Sequence, residues 1–244
     1  MNWPDAIAGL VLGFFGGALG LGSGLIGIPM ITDVLHYPMA VARSSSLINN
    51  VVLSLSAGFR HKRHGSSLEG LGPLLTGSMA GLVLGSVMNS ISSETFMWWI
   101  YATFLLCILA VFLWPKPETA RGTGAEVFHP RRVLVTGVLA SFFLGSLGVG
   151  GGALMVPFLN RWAGITLKRS MVLSTTSIIV SSLLAIPLGY EPGSGTLSLH
   201  MVPGLLLGGY AGSSVGQRMP DRWLRVIFSL ILGLILVKVL SRLM

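Results

Sequence analysis

Apolar segments of about twenty residues follow one another along this chain, and they constrain its fold more than any other feature. Charged residues make up only 10% of the chain, whereas about 25% is usual in soluble domains. A soluble helical bundle would need polar helix faces, which these segments lack. The sequence therefore predicts an all-α polytopic membrane protein. We assign eight segments: 5–32, 44–60, 68–89, 95–114, 132–158, 171–189, 196–217 and 223–241.

The basic character of the chain has a simple explanation in membrane topology. The net charge is +8, but Lys and Arg lie in short loops between apolar segments, so we expect no nucleic-acid partner. The single cysteine, Cys107, excludes a disulfide framework or a cysteine-based metal site. The N-terminal residues MNWPDAIAG contain no Lys or Arg and do not resemble a cleavable signal peptide, so we expect the first segment to be retained.

A glycine-rich stretch occurs twice. GGALGLGSGLIGIP spans residues 16–29 and GSLGVGGGALMVP spans 145–157, and aligning the two prolines also aligns several Phe, Leu and Gly residues. The polar stretch 115–131 separates the two copies. We therefore predict an N-terminal membrane repeat (1–114), a polar linker (115–131) and a C-terminal membrane repeat (132–244). Duplicated halves are a recurring transporter architecture.

Loop charges indicate the direction of the repeats. If all eight segments cross the membrane, the sixteen Lys and Arg residues divide nine to seven between the two sides, a poor fit to the positive-inside rule. If segment five enters and leaves by the same face, the division becomes thirteen on the cytoplasmic side to three on the outer side, the three being Arg43, Lys238 and Arg242. Each repeat would then contribute one re-entrant or broken helix and three crossings, which makes the repeats inverted. Residues 1–31 contain no Lys or Arg, so loop charges do not test the topology of the first segment.

The glycines suggest a break between two half-helices inside the membrane, which in the first segment would cover residues 5–16 and 24–32. Backbone groups at such a break are tolerated only if they are buried in protein or line a wet cavity. The second half-helices would begin near Ser23 or Gly24 and near Gly151 or Gly152, and their free N–H groups would form an anion site. Close helix packing is the alternative reading of these stretches, and it is our interpretation for the Gly77/Gly81/Gly85 and Gly208/Gly212/Gly216 rows. The residues assigned to the two breaks are Gly22, Ser23 and Gly24, and Gly150, Gly151 and Gly152, with Pro29 and Pro157 shaping the chain at each hairpin exit.

Polar side chains follow each hairpin and are candidates for binding an anion. Ser and Thr could equally cap their helices or bond to their own backbone. Adjacent Asn49 and Asn50 cannot both be caps at that depth, and Arg43 could attract an anion or extend to the membrane surface. The candidates are Arg43, Ser44, Ser45, Ser46, Asn49 and Asn50 in the first half, and Ser174, Thr175, Thr176 and Ser177 in the second.

Acidic and histidine residues lie in loops or at segment ends, which narrows the function. No carboxylate is expected in mid-membrane, where a proton relay or sodium site would need one. No metal-binding spacing of His and Glu occurs, so we predict no metal, no cofactor and no enzymatic activity. These absences favour anion transport over cation pumping, and they leave proton coupling open.

The paired motifs resemble those of the TauE/SafE (TSUP) family of sulfite and organosulfonate transporters. The resemblance covers essentially the whole chain and rests on GFFGGALGLGSGLIGIPMI with SSSLI, and on SFFLGSLGVGGGALMVPFL with STTSII. It implies export, or in some members uptake, of sulfite, sulfoacetate or related small anions across the bacterial inner membrane. Ser23 and Gly27 stand opposite Gly151 and Met155, so the two hairpins are not equivalent. A passive anion channel and a membrane scaffold without substrate are the alternatives, and a homodimer stays open.

Overall fold

The computed structural model describes residues 3–19, 22–61, 68–113, 129–218 and 221–243, and these residues form ten α-helices and no strand. Segments one and five each divide into two helices, and the other six segments each correspond to one helix with ends that agree to within a few residues. The helices are α1 (Trp3–Leu19), α2 (Gly24–Pro29), α3 (Met39–His61), α4 (Leu71–Ile91), α5 (Glu94–Leu113), α6 (Pro130–Leu147), α7 (Gly152–Arg161), α8 (Leu167–Leu188), α9 (Ser194–Arg218) and α10 (Asp221–Leu243).

Two of these helices are long and apolar enough to cross a membrane by themselves. They cover Leu71–Ile91 and Arg169–Leu188, that is, α4 and most of α8. Shorter apolar helices occur at Trp3–Ala18, Gly24–Val34, Glu94–Ala110 and Ser229–Ser241. Many large apolar side chains on α4, α9 and α10 are exposed, as is typical of helices that face lipid.

The second glycine-rich stretch forms a hairpin. Helix α6 ends at Gly148, which adopts a left-handed conformation (φ 71°), and α7 begins four residues later at Gly152. Gly151 lies against Ala140, so the chain runs back along the last turns of α6. The Arg132 side chain at the start of α6 donates a hydrogen bond to the carbonyl of Trp162 just after α7 (2.9 Å). Both ends of this segment are therefore adjacent, as the charge division requires.

The first glycine-rich stretch forms a matching hairpin. Gly22 returns beside Gly16, Gly27 faces Leu12, and Ile31 packs with Ala8. Helix α2 continues as a π-helical turn over Met30–Val34. The expected starts of the second half-helices, near Gly24 and Gly152, are confirmed.

The first arms of the hairpins are longer than the sequence predicted. We expected the first arm to cover residues 5–16, but α1 extends from Trp3 to Leu19 and α6 has 18 residues, about 27 Å. Glycines at positions 13, 16 and 17 do not interrupt α1, because they lie where its backbone contacts neighbouring elements. That packing outweighs the low helix propensity of glycine.

Two tight seams join the halves. Along α1 and α9, a Cβ on Gly9, Gly13 or Gly17 would overlap Met201, Leu205 or Gly209 in turn. Along α4 and α6, Gly77, Gly81 and Gly85 face Leu134, Val138 and Phe142 in the same way. The packing interpretation of the Gly77 row is therefore confirmed, and Gly208 and Gly212 meet Leu10 and Phe14 of α1 likewise. The packing of Gly216 lies outside the described part.

The seams also give the helix directions. Residue numbers rise together along each seam, so α1 runs parallel to α9, and α4 runs parallel to α6. Ser45 contacts Ser194 and Asn49 contacts Met201, so α3 runs with α9. Near the start of α3, Arg43 lies beside Asn89 near the end of α4, so those two helices are antiparallel. Helices α1, α3 and α9 therefore point one way, and α4 and α6 point the other way.

The predicted domain boundaries remain a prediction. Most of the linker 115–131 lies outside the described residues. Because each seam pairs a helix of the first repeat with one of the second, the halves are packed into one another.

Candidate functional site

The tips of the two hairpins meet in the centre of the structure. Gly22, which has a positive φ of 80°, contacts Gly150 backbone to backbone, and neither position leaves room for a side chain. A Cβ on Gly24 would lie 2.6 Å from Val149 Cα and 2.8 Å from Gly148 O. The break residues assigned from sequence are therefore brought together.

Asn50 of α3 connects the two tips. Its Oδ1 accepts hydrogen bonds from Ser23 N (2.8 Å) and Ser23 Oγ (3.0 Å), and its Nδ2 donates to Gly148 O (3.1 Å). Ser23 Oγ also donates a hydrogen bond to Ser46 O (3.2 Å). Asn50 and Ser23 are fully buried, so these bonds satisfy backbone groups that lack helical partners at the breaks.

Arg43 is a buried cation at the tip of the second hairpin. It is 5% exposed, its Nη2 donates to Gly145 O (2.6 Å), and its Nη1 donates to the Asn89 side-chain oxygen (2.8 Å) in the amide orientation that satisfies both atoms of Asn89. Both acceptors are neutral. Glu191 is close enough to act on Arg43 electrostatically, but it makes no contact with it within 4 Å. A buried guanidinium with neutral partners is stabilised by a bound anion.

Ser44 and Ser45 connect α3 to the start of α9. Ser44 Oγ donates to Ser194 Oγ (3.0 Å) and accepts from Glu191 N (3.2 Å). Ser45 Oγ donates to Ser194 O (3.2 Å), and Ser45 O accepts from Ser198 Oγ (3.3 Å). The hydrogen-bonding capacity of both hydroxyls is thus largely used in packing.

Three buried polar atoms on α3 have no hydrogen-bond partner among the described residues: Arg43 Nε, Ser46 Oγ and Asn49 Oδ1. Ser46 and Asn49 are completely buried, and the only bond of the Asn49 amide is a weak one from Nδ2 to Met201 Sδ (3.7 Å). The three residues are spaced three apart, over about 9 Å of helix. Buried polar groups are nearly always satisfied, so this row is a candidate for binding a ligand.

The hydroxyls of α8 are engaged differently. Thr175 and Thr176 donate to carbonyls of their own helix, at Met171 and Val172, which is the backbone-bonding alternative considered above. Ser177 bonds to Ser78 of α4 (2.9 Å), and Ser174 is buried. The two halves are therefore chemically unequal at the site.

The start of α7 has buried backbone N–H groups without helical partners. Its first helical acceptor is Gly151 O, which accepts from Leu154 N and Met155 N, so the N–H groups of Gly152 and Ala153 precede the first helical bond. Pro157 lies inside α7, which continues to Arg161, and its role in shaping the chain at the hairpin exit stays a prediction. Pro29 does end α2, at the junction with the π-helical turn.

Sequence reasoning missed several residues that complete the site. Asn89 bridges Arg43 and Ser146 O, Ser78 pairs with Ser177, and the Tyr101 hydroxyl donates to Leu25 O at the start of α2. Asn89 could have been noticed as an amide inside an apolar segment. Ser78 and Tyr101 carry no comparable signal.

A cavity of about 430 Å³ lies away from the tips. It is bordered by an ion pair between Asp33, in the π-helical turn, and Lys238 of α10 (3.0 Å). Its described lining residues are Thr32, Asp33, His36, Lys238 and Ser241.

Comparison with known proteins identifies the family. The model of the sulfite exporter TauE/SafE family matches residues 6–239. The chain belongs to the TauE/SafE family. Relatives of this TauE/SafE protein include the probable membrane transporter protein YdhB of Bacillus subtilis (26% identical over 227 residues, 88% of each chain). The probable membrane transporter protein MJ0441 of Methanocaldococcus jannaschii is 26% identical over 250 residues, which cover 93% of this chain and 91% of the relative.

A longer relative is also similar. The probable membrane transporter protein MamO of Magnetospirillum gryphiswaldense is 23% identical over 276 residues, and the match covers 95% of this chain but only 44% of MamO. No solved structure matches the chain. Family membership and the apolar helices together support a membrane location for this TauE/SafE protein.

Proposed function

We propose that this protein transports small sulfur-containing anions, such as sulfite or sulfoacetate, across the bacterial inner membrane, in the direction of export. The substrate would bind where the hairpin tips meet α3. The family and the names of the relatives support membrane transport. An inside-negative potential of about 100 mV favours exit of a monoanion by about 2.3 kcal/mol, so export needs no buried carboxylate relay.

The observation that carries the proposal is the row of unpartnered polar atoms on α3. Arg43 Nε and Ser46 Oγ can donate hydrogen bonds, and the Asn49 amide can rotate to present its N–H groups. Oxyanions accept several such bonds, and charge-assisted bonds are the strongest. Backbone N–H groups at the start of α7 would contribute further donors.

We propose that the two repeats are inverted across the membrane. The opposite directions of the parallel sets α1/α3/α9 and α4/α6 support this arrangement. Loops assigned to the cytoplasmic side also contact one another. Arg169, after α7, bonds Glu69, before α4, and Arg132 at the start of α6 bonds Trp162 O, after α7. Lys238, assigned to the outer side, contacts Asp33 at the end of the first hairpin.

Cysteine labelling tests this topology. Exposed Pro130 and Trp162, at the two ends of the second hairpin, are suitable sites for cysteines in a Cys107→Ser background. We expect Pro130→Cys and Trp162→Cys to label only from the cytoplasm, and exposed Tyr190→Cys only from outside. Labelling of 130 and 162 from opposite sides would exclude the re-entrant hairpin.

Substitutions on α3 separate binding from packing. We expect Ser46→Ala to weaken anion binding about tenfold to hundredfold, because a hydrogen bond to a charged group contributes about 1.5–3 kcal/mol. The melting temperature should not fall, because Ser46 Oγ has no protein partner to lose. Ser45→Ala is the matched control: it should lower the melting temperature, because it removes the bond to Ser194, and should leave binding nearly unchanged. The opposite pattern would contradict the binding role of α3. Anion binding is measured by calorimetry and stability by thermal unfolding in detergent.

Flux in proteoliposomes tests the function itself. Purified protein should carry sulfite or sulfoacetate with saturation and counterflow. Flux without saturation or counterflow would indicate a passive channel. If sulfite, sulfonates, thiosulfate and other small anions are neither bound nor moved, a scaffold without substrate would be the better reading.

A further inference from the structure

A buried carboxylate and a histidine face each other across the seam between α1 and α9. Asp5 is only 4% exposed, and its Oδ2 lies 3.3 Å from His200 Nδ1. The His200 side chain is 33% exposed, so it connects the buried carboxylate to solvent. The sequence placed both residues at the periphery, and it did not indicate that they meet. Nothing in the site around α3 uses them.

The seam has few other charges near this pair. Helix α2 contains no charged or titratable residue, and the described side chains of α3 include Arg43, which donates to Gly145 O. The other titratable groups with described side chains on or beside these elements are Asp33, which contacts Lys238, together with His36, Tyr37, Tyr190, Glu191 and Tyr210. The side chains of Arg60 and His61 at the end of α3 and of Arg218 at the end of α9 lie outside the described part. In the described residues, Asp5 and His200 are therefore each other's ionic partner.

The second seam has no such pair. The repeat alignment places Val133 opposite Asp5 and Glu69 opposite His200. Val133 is buried and apolar, whereas the Glu69 side chain is 74% exposed and pairs with Arg169. Otherwise the two seams share the same glycine-to-backbone packing. The pair is thus an addition to one seam and is not required for seam packing.

We propose that Asp5 and His200 form a proton-binding site that controls the end of the α1–α9 seam and couples protons to transport. Histidine changes charge near neutral pH, and ionisable residues inside a membrane protein mark proton or ion pathways. With the proton bound, the pair is neutral overall and holds α1 against α9. Without it, a buried negative charge remains, and water must reach Asp5 to solvate it. The end of the seam opens as a result.

Coupling rests on the proposed function, but proton binding does not, and so the two are tested separately. Spin labels on a Cys107→Ser background report the seam through the exposed positions Trp3 and Leu199. We expect their distance to be longer at about pH 8 than at about pH 5, because histidine is the side chain that ordinarily changes charge between these limits. Labels at exposed Leu68 and Leu134 on the α4–α6 seam should show no change.

Variants identify the groups responsible. Asp5→Asn and His200→Gln should abolish the pH response of the Trp3/Leu199 distance, whereas Glu69→Gln should preserve it. In proteoliposomes, wild-type anion flux should depend on the pH gradient, and this dependence should be lost in Asp5→Asn while flux itself persists. No pH response in the parent, or the same response in both variants, overturns the proton site. If the Trp3/Leu199 distance responds to pH but no anion flux is observed, only the proposed function is overturned. If the flux of Asp5→Asn depends on the pH gradient as the wild-type flux does, the coupling is overturned.

Discussion

Replacing Asn50 with leucine is expected to abolish anion flux and to lower the thermal stability of the protein. Leucine has a similarly branched side chain but no hydrogen-bonding atoms, so it leaves Ser23 N and Gly148 O buried without partners. Each unsatisfied buried group costs about 1–3 kcal/mol, so the expected loss is about 2–6 kcal/mol. Because Asn50 bonds both tips, we expect the hairpins to lose their relative position. Thermal unfolding and flux in proteoliposomes measure the two effects.

Two further variants make the Asn50 prediction specific. Asn50→Asp keeps the acceptor for Ser23 but replaces the donor to Gly148 O with an oxygen, so it should also be defective. Ser181→Ala changes the aligned position of α8, where no bond bridges the tips among the described residues, and should keep nearly normal flux. Normal flux in Asn50→Leu would show that the tips do not need this bridge.

The hairpin formed by the second glycine-rich stretch was the most predictable part of the fold. Loop cations at positions 131, 132, 161 and 169 carry a signal that depends only on which side of the membrane a loop lies. The contact between Arg132 and Trp162 O agrees with that signal. The starts of the second half-helices were also predictable, because glycine and proline are concentrated where the backbone must leave the helix.

The helix arms and hydroxyl partners were less predictable for a physical reason. Glycine lowers helix propensity in sequence, but in α1 it serves close packing against α9, and a single sequence does not distinguish these uses. A serine in a membrane helix can bond its own backbone, a neighbour or a ligand. Ser45 and Thr176 are aligned in the two repeats, yet Ser45 bonds to α9 whereas Thr176 bonds to its own helix. Ser46 is adjacent to Ser45, but its hydroxyl has no partner.

Charge position in sequence was a poor guide to burial. Asp5 lies three residues into the first helix, where a carboxylate would ordinarily reach water. Parallel packing of α1 against α9 covers it and brings His200 to it. This pairing depends on contacts nearly two hundred residues apart, which local sequence patterns do not encode.

Substituting Gly24 with alanine is expected to reduce anion flux at least tenfold while folded protein remains in the membrane. The added methyl group would lie 2.6 Å from Val149 Cα and 2.8 Å from Gly148 O, which are backbone atoms of the other hairpin. Such overpacking costs about 1–3 kcal/mol, and each 1.4 kcal/mol corresponds to about tenfold in an equilibrium. Flux in proteoliposomes and the yield of monodisperse protein are the measurements.

Neighbouring and remote glycines provide graded controls for Gly24. Gly151→Ala should have a smaller effect, because its Cβ would lie 3.1 Å from Ala140 O and 3.2 Å from Ala140 Cβ, within its own hairpin, while Gly151→Leu should be inactive. Gly233→Ala on α10 should be neutral, because no described atom beyond the neighbouring backbone of α10 itself lies within 4 Å of the new Cβ. Equal activity of Gly24→Ala and Gly233→Ala would show that the tips separate freely. Because contact between the tips closes the centre of the protein, a graded loss from Gly233 to Gly151 to Gly24 would locate the transport pathway at that contact.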